Sequence, residues 1–472
     1  MKLVTYTRML PGDTETPITI YNKYAGDGCG ILLESCEQPK GRYSFIASEP
    51  VAVIRSKGEN IVIERKGQLK VLRGKVLDTA REFMKDYQVE NTSGIPFVGG
   101  LVGTVGYDVI RQYEKLPDTN RDILGLPDAH LMAITELIAY DHFHHRIILI
   151  TLETRDDAGK DRANLRLSAI EKLLKKPCIL PEERFGTDVD TIAPTCNMSK
   201  EEYMENVKRA RHYIHEGDIF QVVLSQRWSI ETAQHPFSLY RKLRQVNPSA
   251  YMFYINYGDY QVAGSSPEML VELRNDHIKN CPIAGTRPRG ANGKEDERLS
   301  RELLADEKER AEHVMLVDLG RNDMGRIAKI GSVNVTEFMN VKYYSHVMHL
   351  VSLVEGIKRD DQDMFSILAS FLPAGTLSGA PKIRAMEIIE ELEPDKRGIY
   401  GGAAGYFGFD GDMDMCIAIR TMVIHDGHAY LQAGAGIVAD SIPENEYEET
   451  RNKIRALVRA AEGVKNDDSF DR

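Results

Sequence analysis

The chain has 472 residues, of which 42% are hydrophobic, enough to bury a large core in two domains or in one elaborate domain. Its 71 acidic and 60 basic residues give a formal net charge of -11, which argues against a general nucleic-acid binder. The six cysteines include no CxxC pair, so neither a zinc site nor a disulfide framework is indicated. With no signal-peptide core and no run of about twenty apolar residues, we expect a soluble, cytoplasmic protein with no membrane partner.

Residues 176–197 form the best candidate for a boundary between two regions. This stretch, KPCILPEERFGTDVDTIAPTCN, is rich in proline, charge and threonine and shows no sustained period. We therefore predict an N-terminal region over residues 1–190 and a second domain over residues 195–472. Strands in the first region are indicated by short β-like runs at residues 51–54, 61–64 and 146–152.

The second region opens with a clear helix and strand. Ser199 and Glu202 form a capping box for a helix that Gly217 ends. Alternation over residues 219–228 (IFQVVLSQRW) then predicts a strand. One face of this strand would carry Phe220, Val222 and Leu224, and the other would carry Gln221, Val223 and Ser225.

The C-terminal part of the chain is predicted to contain a hairpin and a last helix. Strands at residues 415–424 and 429–438 flank Asp426-Gly427, a strong hairpin signal because both residues accept positive φ. The last helix is predicted from Pro443 to about Gly463.

Two acidic helical segments carry the first candidate site. Glu309 and Glu312 in DEKERAEHVM share one helical face, and Glu446, Glu449 and Lys453 share a face of the last helix. Each segment alone is typical of a solvated helix surface, and Glu449 with Lys453 is an ordinary i,i+4 ion pair. Four carboxylates on two helices nevertheless favour a hard cation, since Mg²⁺ takes one or two carboxylates together with water and substrate oxygens.

A second candidate site combines an arginine with a glycine-rich run. Arg420 stands in the apolar segment MCIAIRTMVI, predicted as a strand, and a buried guanidinium needs an anion. That anion is either a structural carboxylate or a substrate carboxylate. In QAGAG, Gly434 and Gly436 either let backbone N–H groups approach a ligand or form a tight bend. Together these signals predict a site for a polyanionic small molecule.

The longer motifs of the chain resemble the chorismate-utilising enzymes, and within that family the large components of anthranilate synthases. The resemblance spans about residues 199–463 and rests on GDIFQVVLSQR, GSSPEMLV, PIAGTRPRG, DEKERAEHVMLVDLGRND, GTLSGAPKIRAMEIIE, YGGAAGYFGFDGDMDMCIAIRT and GAGIVADSIPENEYEETRNKIRA. It implies an α+β fold with two large, mainly antiparallel β-sheets packed between helices. It also implies an active site in a deep cleft and an N-terminal regulatory region packed on the catalytic core.

The resemblance assigns roles to individual residues. Glu312 and Glu449 would be Mg²⁺ ligands, with Glu309 and Glu446 beside them. Glu268 would protonate the departing 4-hydroxyl of chorismate. The position of His349 matches the family's active-site histidine, although the residues alone favour a packed histidine in a strand. The other implied pocket residues are Gly285, Thr286, Thr376, Tyr400, Arg420, Gly434, Ala435, Gly436 and Lys453.

Two positions distinguish the branches of the family. Aminodeoxychorismate synthases carry a nucleophilic lysine where this chain has Ala284, and isochorismate synthases activate water with a lysine at the position of Gln221. Alanine cannot attack the ring and an amide cannot act as a general base, so the resemblance implies ammonia as the nucleophile. The implied reaction is amination of chorismate at C2 to aminodeoxyisochorismate, followed by pyruvate loss to anthranilate. The two sister activities remain alternatives, as does a non-catalytic acidic partner protein.

The resemblance also implies a partner and an inhibitor. No cysteine here lies in a GxCxGxQ block, so a separate glutamine amidotransferase subunit would supply ammonia. The segments LLES, ending at Ser35, and NPSAYMF, with Ala250, Tyr251 and Met252, resemble the two halves of the family's tryptophan site. Alone, they are typical of a strand end and a turn. The family commonly has proline at the position of Ala250. Feedback inhibition by tryptophan is the implied regulation.

Overall fold

The computed structural model describes residues 2–36, 41–181, 194–344 and 347–462. Its helices are α1 (Pro17–Tyr24), α2 (Val76–Met84), α3 (Asp157–Leu174), α4 (Lys200–His215), α5 (Pro236–Val246), α6 (Gly293–Ala305), α7 (Glu307–Gly325), α8 (Met364–Phe371), α9 (Lys382–Leu392) and α10 (Pro443–Glu462). Short 3-10 turns cover Tyr107–Gln112 and Gly375–Leu377. No helix in these ranges has the length and apolar character needed to cross a membrane.

The strands before residue 190 are β1 (Lys2–Pro11), β2 (Gly30–Glu34), β3 (Tyr43–Ser48), β4 (Ala52–Lys57), β5 (Asn60–Arg65), β6 (Gln68–Arg73), β7 (Gln88–Glu90), β8 (Gly100–Val105), β9 (Ala129–Ile134), β10 (Glu136–Asp141) and β11 (Arg146–Glu153). Those after it are β12 (Thr195–Cys196), β13 (Gln221–Glu231), β14 (Tyr251–Asn256), β15 (Gln261–Ser266), β16 (Met269–Arg274), β17 (His277–Asn280), β18 (Ile283–Pro288), β19 (Asn334–Tyr343), β20 (Val347–Ile357), β21 (Gly379–Ala380), β22 (Ala403–Gly408), β23 (Met413–Ile417), β24 (Thr421–His425) and β25 (His428–Ile437).

These strands form two large sheets, and both contain strands from the two predicted regions. The first sheet has the order β12-β13-β25-β24-β15-β14-β2-β3-β10-β11-β1-β7, with β21 beside β13. The second has the order β18-β20-β17-β16-β23-β22-β8-β9-β4-β5-β6, with β19 beside β20. The pairing is mainly antiparallel, and β1 with β7 is a parallel pair. The predicted α+β architecture is confirmed, whereas residues 182–193 of the predicted boundary lie outside the described ranges.

The first sheet is buried on both faces. Along β14, Phe253 and Ile255 join the core between the sheets, while Met252 and Tyr254 join a second core beneath helices. The two-residue side-chain period of a strand produces this division. Helices α1, α3, α5 and α10 pack against the first sheet, and α2, α7 and α8 pack against the second.

The chain passes between the two sheets several times, and two neighbouring crossovers position the site. Between β15 and β16 the crossover contains Glu268, and between β23 and β24 it contains Arg420. The Ser265 amide donates to the Arg420 carbonyl at 3.1 Å, and the Ile417 amide donates to the Glu268 carbonyl at 3.0 Å. The prediction of one strand over residues 415–424 is therefore wrong: Arg420 has φ 49°, which interrupts the extended conformation.

The predicted opening of the second region is largely confirmed. Ser199 and Glu202 form both hydrogen bonds of the capping box of α4. The next strand begins at Gln221 and not at residue 219, and Phe220 before it is 73% exposed. Val222 and Leu224 pack in the core against α4 and α9, as the alternation predicted.

The predicted hairpin and last helix are also present. Asp426 (φ 48°) and Gly427 (φ 73°) form the turn between β24 and β25, with His425 paired to His428. The last helix begins at Pro443, and the predicted end at Gly463 lies outside the described residues.

Candidate active site

Glu268 lies at the first crossover, where it lines a pocket together with Thr376, called the cleft below, and it has the properties of an acid. Its side chain is buried, and the Thr376 hydroxyl donates to its Oε1 over 3.2 Å. Burial raises the pKa of Glu268 to about 8, although Thr376, Lys453 and Arg420 act in the opposite direction. A carboxyl group with this pKa holds its proton near neutral pH and can donate it to a leaving group.

Arg420, at the second crossover, is a cation without a carboxylate partner at ion-pair distance among the described residues. Burial lowers the pKa of its guanidinium, while Tyr400, Glu449 and Glu268 favour the charged form from farther away. A guanidinium in a desolvated cleft is stabilised when an anion pairs with it. Of the two alternatives left by the sequence, the structure thus favours an external anion over a structural carboxylate.

The glycine run of β25 lets two polar side chains approach the strand. A Cβ on Gly434 would lie 3.1 Å from the Tyr400 hydroxyl, and a Cβ on Gly436 would lie only 2.5 Å from Nε2 of Gln221. Ala435, between them, is fully buried in the core on the opposite face. Only the backbone of Ala435, and not its side chain, can therefore contact a ligand in the cleft.

Gln221 presents an unsatisfied acceptor. Its side chain is buried at the start of β13, and its Oε1 has no hydrogen-bond partner among the described residues. A buried polar atom without a partner costs about 1–3 kcal/mol, which a bound donor would offset.

Lys453 connects the last helix to the glycine run. Its Nζ donates to the carbonyl of Gly434 at 2.9 Å and forms an ion pair with Glu449 at 2.6 Å. The structure therefore brings the Lys453 ammonium group to the backbone of β25.

His349 lies on β20 opposite a bulge in β18. Gly285 has φ 67° at this bulge, and its carbonyl oxygen lies 2.9 Å from Nδ1 of His349. A carbonyl only accepts, so Nδ1 carries the proton and Nε2 keeps a lone pair. The Thr286 hydroxyl lies 3.1 Å from the same nitrogen, and burial lowers the pKa of His349. Ala284, next to the bulge, is buried and offers no nucleophile.

The four predicted metal ligands lie on helices α7 and α10, and Glu312 on α7 is close enough to Glu449 on α10 for their charges to interact. Burial raises the pKa of Glu312, and the charges of Glu309 and Glu449 raise it further. The pKa of Glu446 is also raised, by burial first and to a lesser degree by Glu449. Glu309 is partly neutralised by Arg287 at 3.1 Å.

This carboxylate cluster fits Mg²⁺ in its chemistry. Glu309 and Glu449 raise the pKa of Glu312 by their charges, and a divalent cation placed among such carboxylates would relieve this repulsion. In the described parts of the chain, no three histidine, cysteine, aspartate or glutamate side chains form a ready-made cage. Mg²⁺ does not require such a cage, because water and substrate oxygens usually complete its shell.

The two predicted halves of a tryptophan site are adjacent in the first sheet. Strands β2 and β14 pair with Glu34 opposite Met252, and the amide of Cys36, just beyond Ser35, donates to the Ser249 carbonyl at 3.1 Å. Ala250 directly precedes β14, whose first two side chains diverge. The Tyr251 hydroxyl donates to Asp414 of the second sheet at 3.0 Å, whereas Met252 packs in the second core, between the first sheet and its helices.

Sequence reasoning missed residues that support the site. Ser265 Oγ donates to the Asn247 carbonyl and lies 3.0 Å from Ser249 Oγ, while its amide bonds to Arg420. Glu393 and Arg397 form a buried ion pair behind the cleft. Their spacing of four residues was the only local signal, and it is equally typical of a surface pair.

Comparison with known proteins identifies the family. The chorismate binding enzyme family matches residues 30–459. The chain is 47% identical to anthranilate synthase component 1 of Acetivibrio thermocellus, covering 98% of this chain and 95% of that protein. It is 46% identical to the Thermus thermophilus protein of the same name, covering 97% of each.

Solved structures agree with this assignment. Anthranilate synthase component I from Streptococcus pneumoniae matches with a TM-score of 0.77 and 41% identity, over 90% of this chain and 93% of that one. The menaquinone-specific isochorismate synthase from Escherichia coli shares the fold, with a TM-score of 0.74 over 97% of this chain and 94% of that one, at only 19% identity. With this shared architecture and a family match over most of its length, the chain belongs to the chorismate binding enzymes.

Proposed function

We propose that this chain is the chorismate-aminating subunit of an anthranilate synthase, which converts chorismate and ammonia into anthranilate, pyruvate and water at the first committed step of tryptophan biosynthesis. One observation carries the proposal: the cleft contains a neutral acid, Glu268, and an unpaired Arg420, but has Gln221 and Ala284 where the sister enzymes use lysines. Relatives of similar length named anthranilate synthase component 1 support it.

The first step forms the C2–N bond and breaks the C4–O bond. Glu268, with Oε1 occupied by Thr376, gives a proton from Oε2 to the departing 4-hydroxyl, which leaves as water. Ammonia adds at C2 as the ring double bonds shift, and the extra proton of the resulting ammonium group is returned, through solvent, to the Glu268 carboxylate. The orphaned Oε1 of Gln221 accepts an N–H from ammonia and orients the nitrogen lone pair toward the ring. The product is aminodeoxyisochorismate.

The second step makes the ring aromatic. Nε2 of His349, left unprotonated by the bond from Nδ1 to Gly285, takes the C2 proton. The C3–O bond then breaks, and its electron pair leaves with the enolpyruvyl group, which becomes pyruvate after protonation. The lowered pKa of His349 keeps it neutral and available as a base near pH 7.

The substrate carboxylates are held by the cations of the cleft. Arg420 pairs with one carboxylate, and Lys453, Tyr400 and the amides of Gly434 to Gly436 surround the other. Glu312 and Glu449 would hold Mg²⁺, with Glu309 and Glu446 beside them. When bound there, Mg²⁺ supplies positive charge that orients and polarises a substrate carboxylate.

Ammonia reaches the chain from a glutamine amidotransferase subunit in this proposal. The relatives' name, component 1, implies a further component, and the sequence has no GxCxGxQ block of its own. None of the six cysteines, all of which lie in the described ranges, forms a disulfide, which fits a reducing cytoplasm.

Tryptophan inhibition is proposed to act through Ser265. Tryptophan bound beside Ser35 and Ala250 would contact the Tyr251 side chain and the Met252 backbone. Ser265 bonds to Asn247 and Ser249 in that segment through its hydroxyl, and to Arg420 through its amide. A ligand that displaces the segment would therefore shift the position of Arg420 and weaken chorismate binding.

A product assay tests the proposed function. Purified protein is incubated with chorismate, Mg²⁺ and an ammonium salt, and the products are separated by chromatography. Anthranilate is the expected product. Isochorismate or aminodeoxychorismate would assign the chain to a sister activity, and chorismate left intact would favour the non-catalytic partner protein. Arg227→Lys, which alters a buried pair outside the proposed catalytic and binding set, serves as the matched control.

A further inference from the structure

The buried ion pair of Glu393 and Arg397 lies behind the cleft. Both side chains are almost fully buried, and Arg397 bonds to Glu393 through Nε at 2.9 Å and through Nη2 at 2.6 Å. A buried ion pair is costly to desolvate and is weak evidence for stability by itself. The further contacts of this pair connect it to the candidate site.

Arg397 uses its remaining donors on two elements of the candidate site. Nη2 donates to the carbonyl of Val223, on the strand that begins at Gln221, at 2.7 Å. Nη1 donates at 2.6 Å to the carbonyl of Leu377, the residue after Thr376. One planar guanidinium thus fixes the elements that carry the unsatisfied amide and the hydroxyl bonded to Glu268.

Glu393 and the ring of Tyr400 complete the connection. Oε1 of Glu393 accepts from the Ser225 amide at 2.7 Å and from the Ser225 hydroxyl at 2.9 Å. The guanidinium carbon of Arg397 lies 5.7 Å from the Tyr400 ring centre and 4.8 Å from that of Tyr107. The pair therefore touches three elements of the site without reaching the reacting atoms.

We propose that Glu393 and Arg397 are positioning residues, which hold Gln221, Thr376 and Tyr400 in fixed positions relative to one another for the reaction. This role rests on the proposed function. Lysine in place of Arg397 would keep a charge opposite Glu393, but it cannot reproduce the fork that bonds to Val223 and Leu377 together.

The test compares Arg397→Lys with a matched control, Arg227→Lys. Arg227 lies on β13, the strand that also carries Gln221 and Val223; it is buried as Arg397 is and pairs with Asp395 at 2.8 Å, but its further side-chain bond goes to the Lys396 carbonyl. Thermal stability, kcat and KM for chorismate, and the pH profile of kcat are measured for both. For Arg397→Lys we expect kcat to fall by about a hundredfold, the size of effect that a misplacement of about 1 Å can cause.

The pH profile separates positioning from general loss of stability. The bond from Thr376 lowers the pKa of Glu268, and the other groups facing this carboxyl are Lys453 and Arg420, with Asp323 in the adjoining cavity. Loss of the bond from Arg397 to the Leu377 carbonyl would loosen the neighbouring Thr376 and weaken its hydrogen bond to Glu268. The pKa of Glu268 would then rise, so the alkaline limb of the kcat profile should move to higher pH, as we also expect for Thr376→Val. Arg227→Lys should lower the melting temperature but keep the wild-type limb.

The proposal would be overturned if Arg397→Lys kept the wild-type kcat and the alkaline limb of its pH profile stayed at the wild-type pH. Should that variant not fold, Glu393→Gln carries the test, because it keeps the volume and removes the charge that orients Arg397; the same two results are expected. A wild-type protein that makes no anthranilate would instead refute the proposed function, so the two failures are distinguishable.

Discussion

Replacement of Glu268 by glutamine should remove catalysis and at the same time stabilise the folded protein at alkaline pH. Glutamine keeps the size of the side chain but cannot release a proton to the 4-hydroxyl. General acid catalysis contributes about 10²–10⁴-fold, so kcat should fall at least about a hundredfold. KM for chorismate should change far less, since the carboxylates of the substrate are assigned to Arg420 and Lys453.

The stability effect follows from the pKa of Glu268. Burial moves this pKa from 4.5 to about 8, which costs the charged form about 5 kcal/mol at about 1.4 kcal/mol per pH unit. The folded state holds the proton more tightly than the unfolded state. The resulting stability is complete below pH 4.5 and is lost as pH rises through about 8. Glu268→Gln does not undergo this loss.

Urea unfolding of both proteins between about pH 6 and pH 8 checks the magnitude. The free energy of unfolding of the variant, relative to wild type, should rise by roughly 2 kcal/mol over these two pH units. Glu64→Gln, which alters a half-exposed carboxylate on β5, should show no comparable trend. A variant that keeps substantial kcat would remove Glu268 from the acid role, and a relative stability that is flat with pH would contradict the raised pKa.

Three further predictions concern the metal, the nucleophile and the inhibitor. Glu312→Gln should raise the Mg²⁺ concentration needed for anthranilate formation while increasing stability without metal, because it relieves repulsion with Glu309 and Glu449; an unchanged Mg²⁺ titration would contradict the ligand assignment. Gln221→Lys should divert chorismate toward isochorismate, since an amine can activate water, and chromatography showing anthranilate alone would refute this. Ser35→Phe should relieve inhibition by tryptophan, measured as the concentration that halves anthranilate formation; wild-type activity indifferent to saturating tryptophan would reject the regulatory site.

Features set by neighbouring residues could be predicted from the sequence. The capping box at Ser199 and the turn at Asp426-Gly427 depend on contacts a few residues apart, and both are present. The alternation after Gln221 also indicated correctly that its side chain lies opposite Val222 and Leu224. The two-sheet architecture was expected only through the family resemblance.

Features that depend on distant residues could not be predicted. Residues 415–424 are apolar on both sides of Arg420, so nothing local marks the point where the chain changes sheets. The hydrogen bond from Thr376 to Glu268 joins two residues that are 108 positions apart in the sequence. Glu393 and Arg397 have the spacing of a surface ion pair, and only the packing of β13 and Tyr107 around them shows their burial.

The most direct test of the central claim is the stoichiometry of the reaction. Chorismate, Mg²⁺ and ¹⁵N-labelled ammonium are incubated with the purified chain, and anthranilate and pyruvate are quantified together by mass spectrometry. We predict equal amounts of the two products, with the label in the anthranilate amino group. Chorismate consumed without labelled anthranilate, or labelled aminated product without pyruvate, would contradict the account.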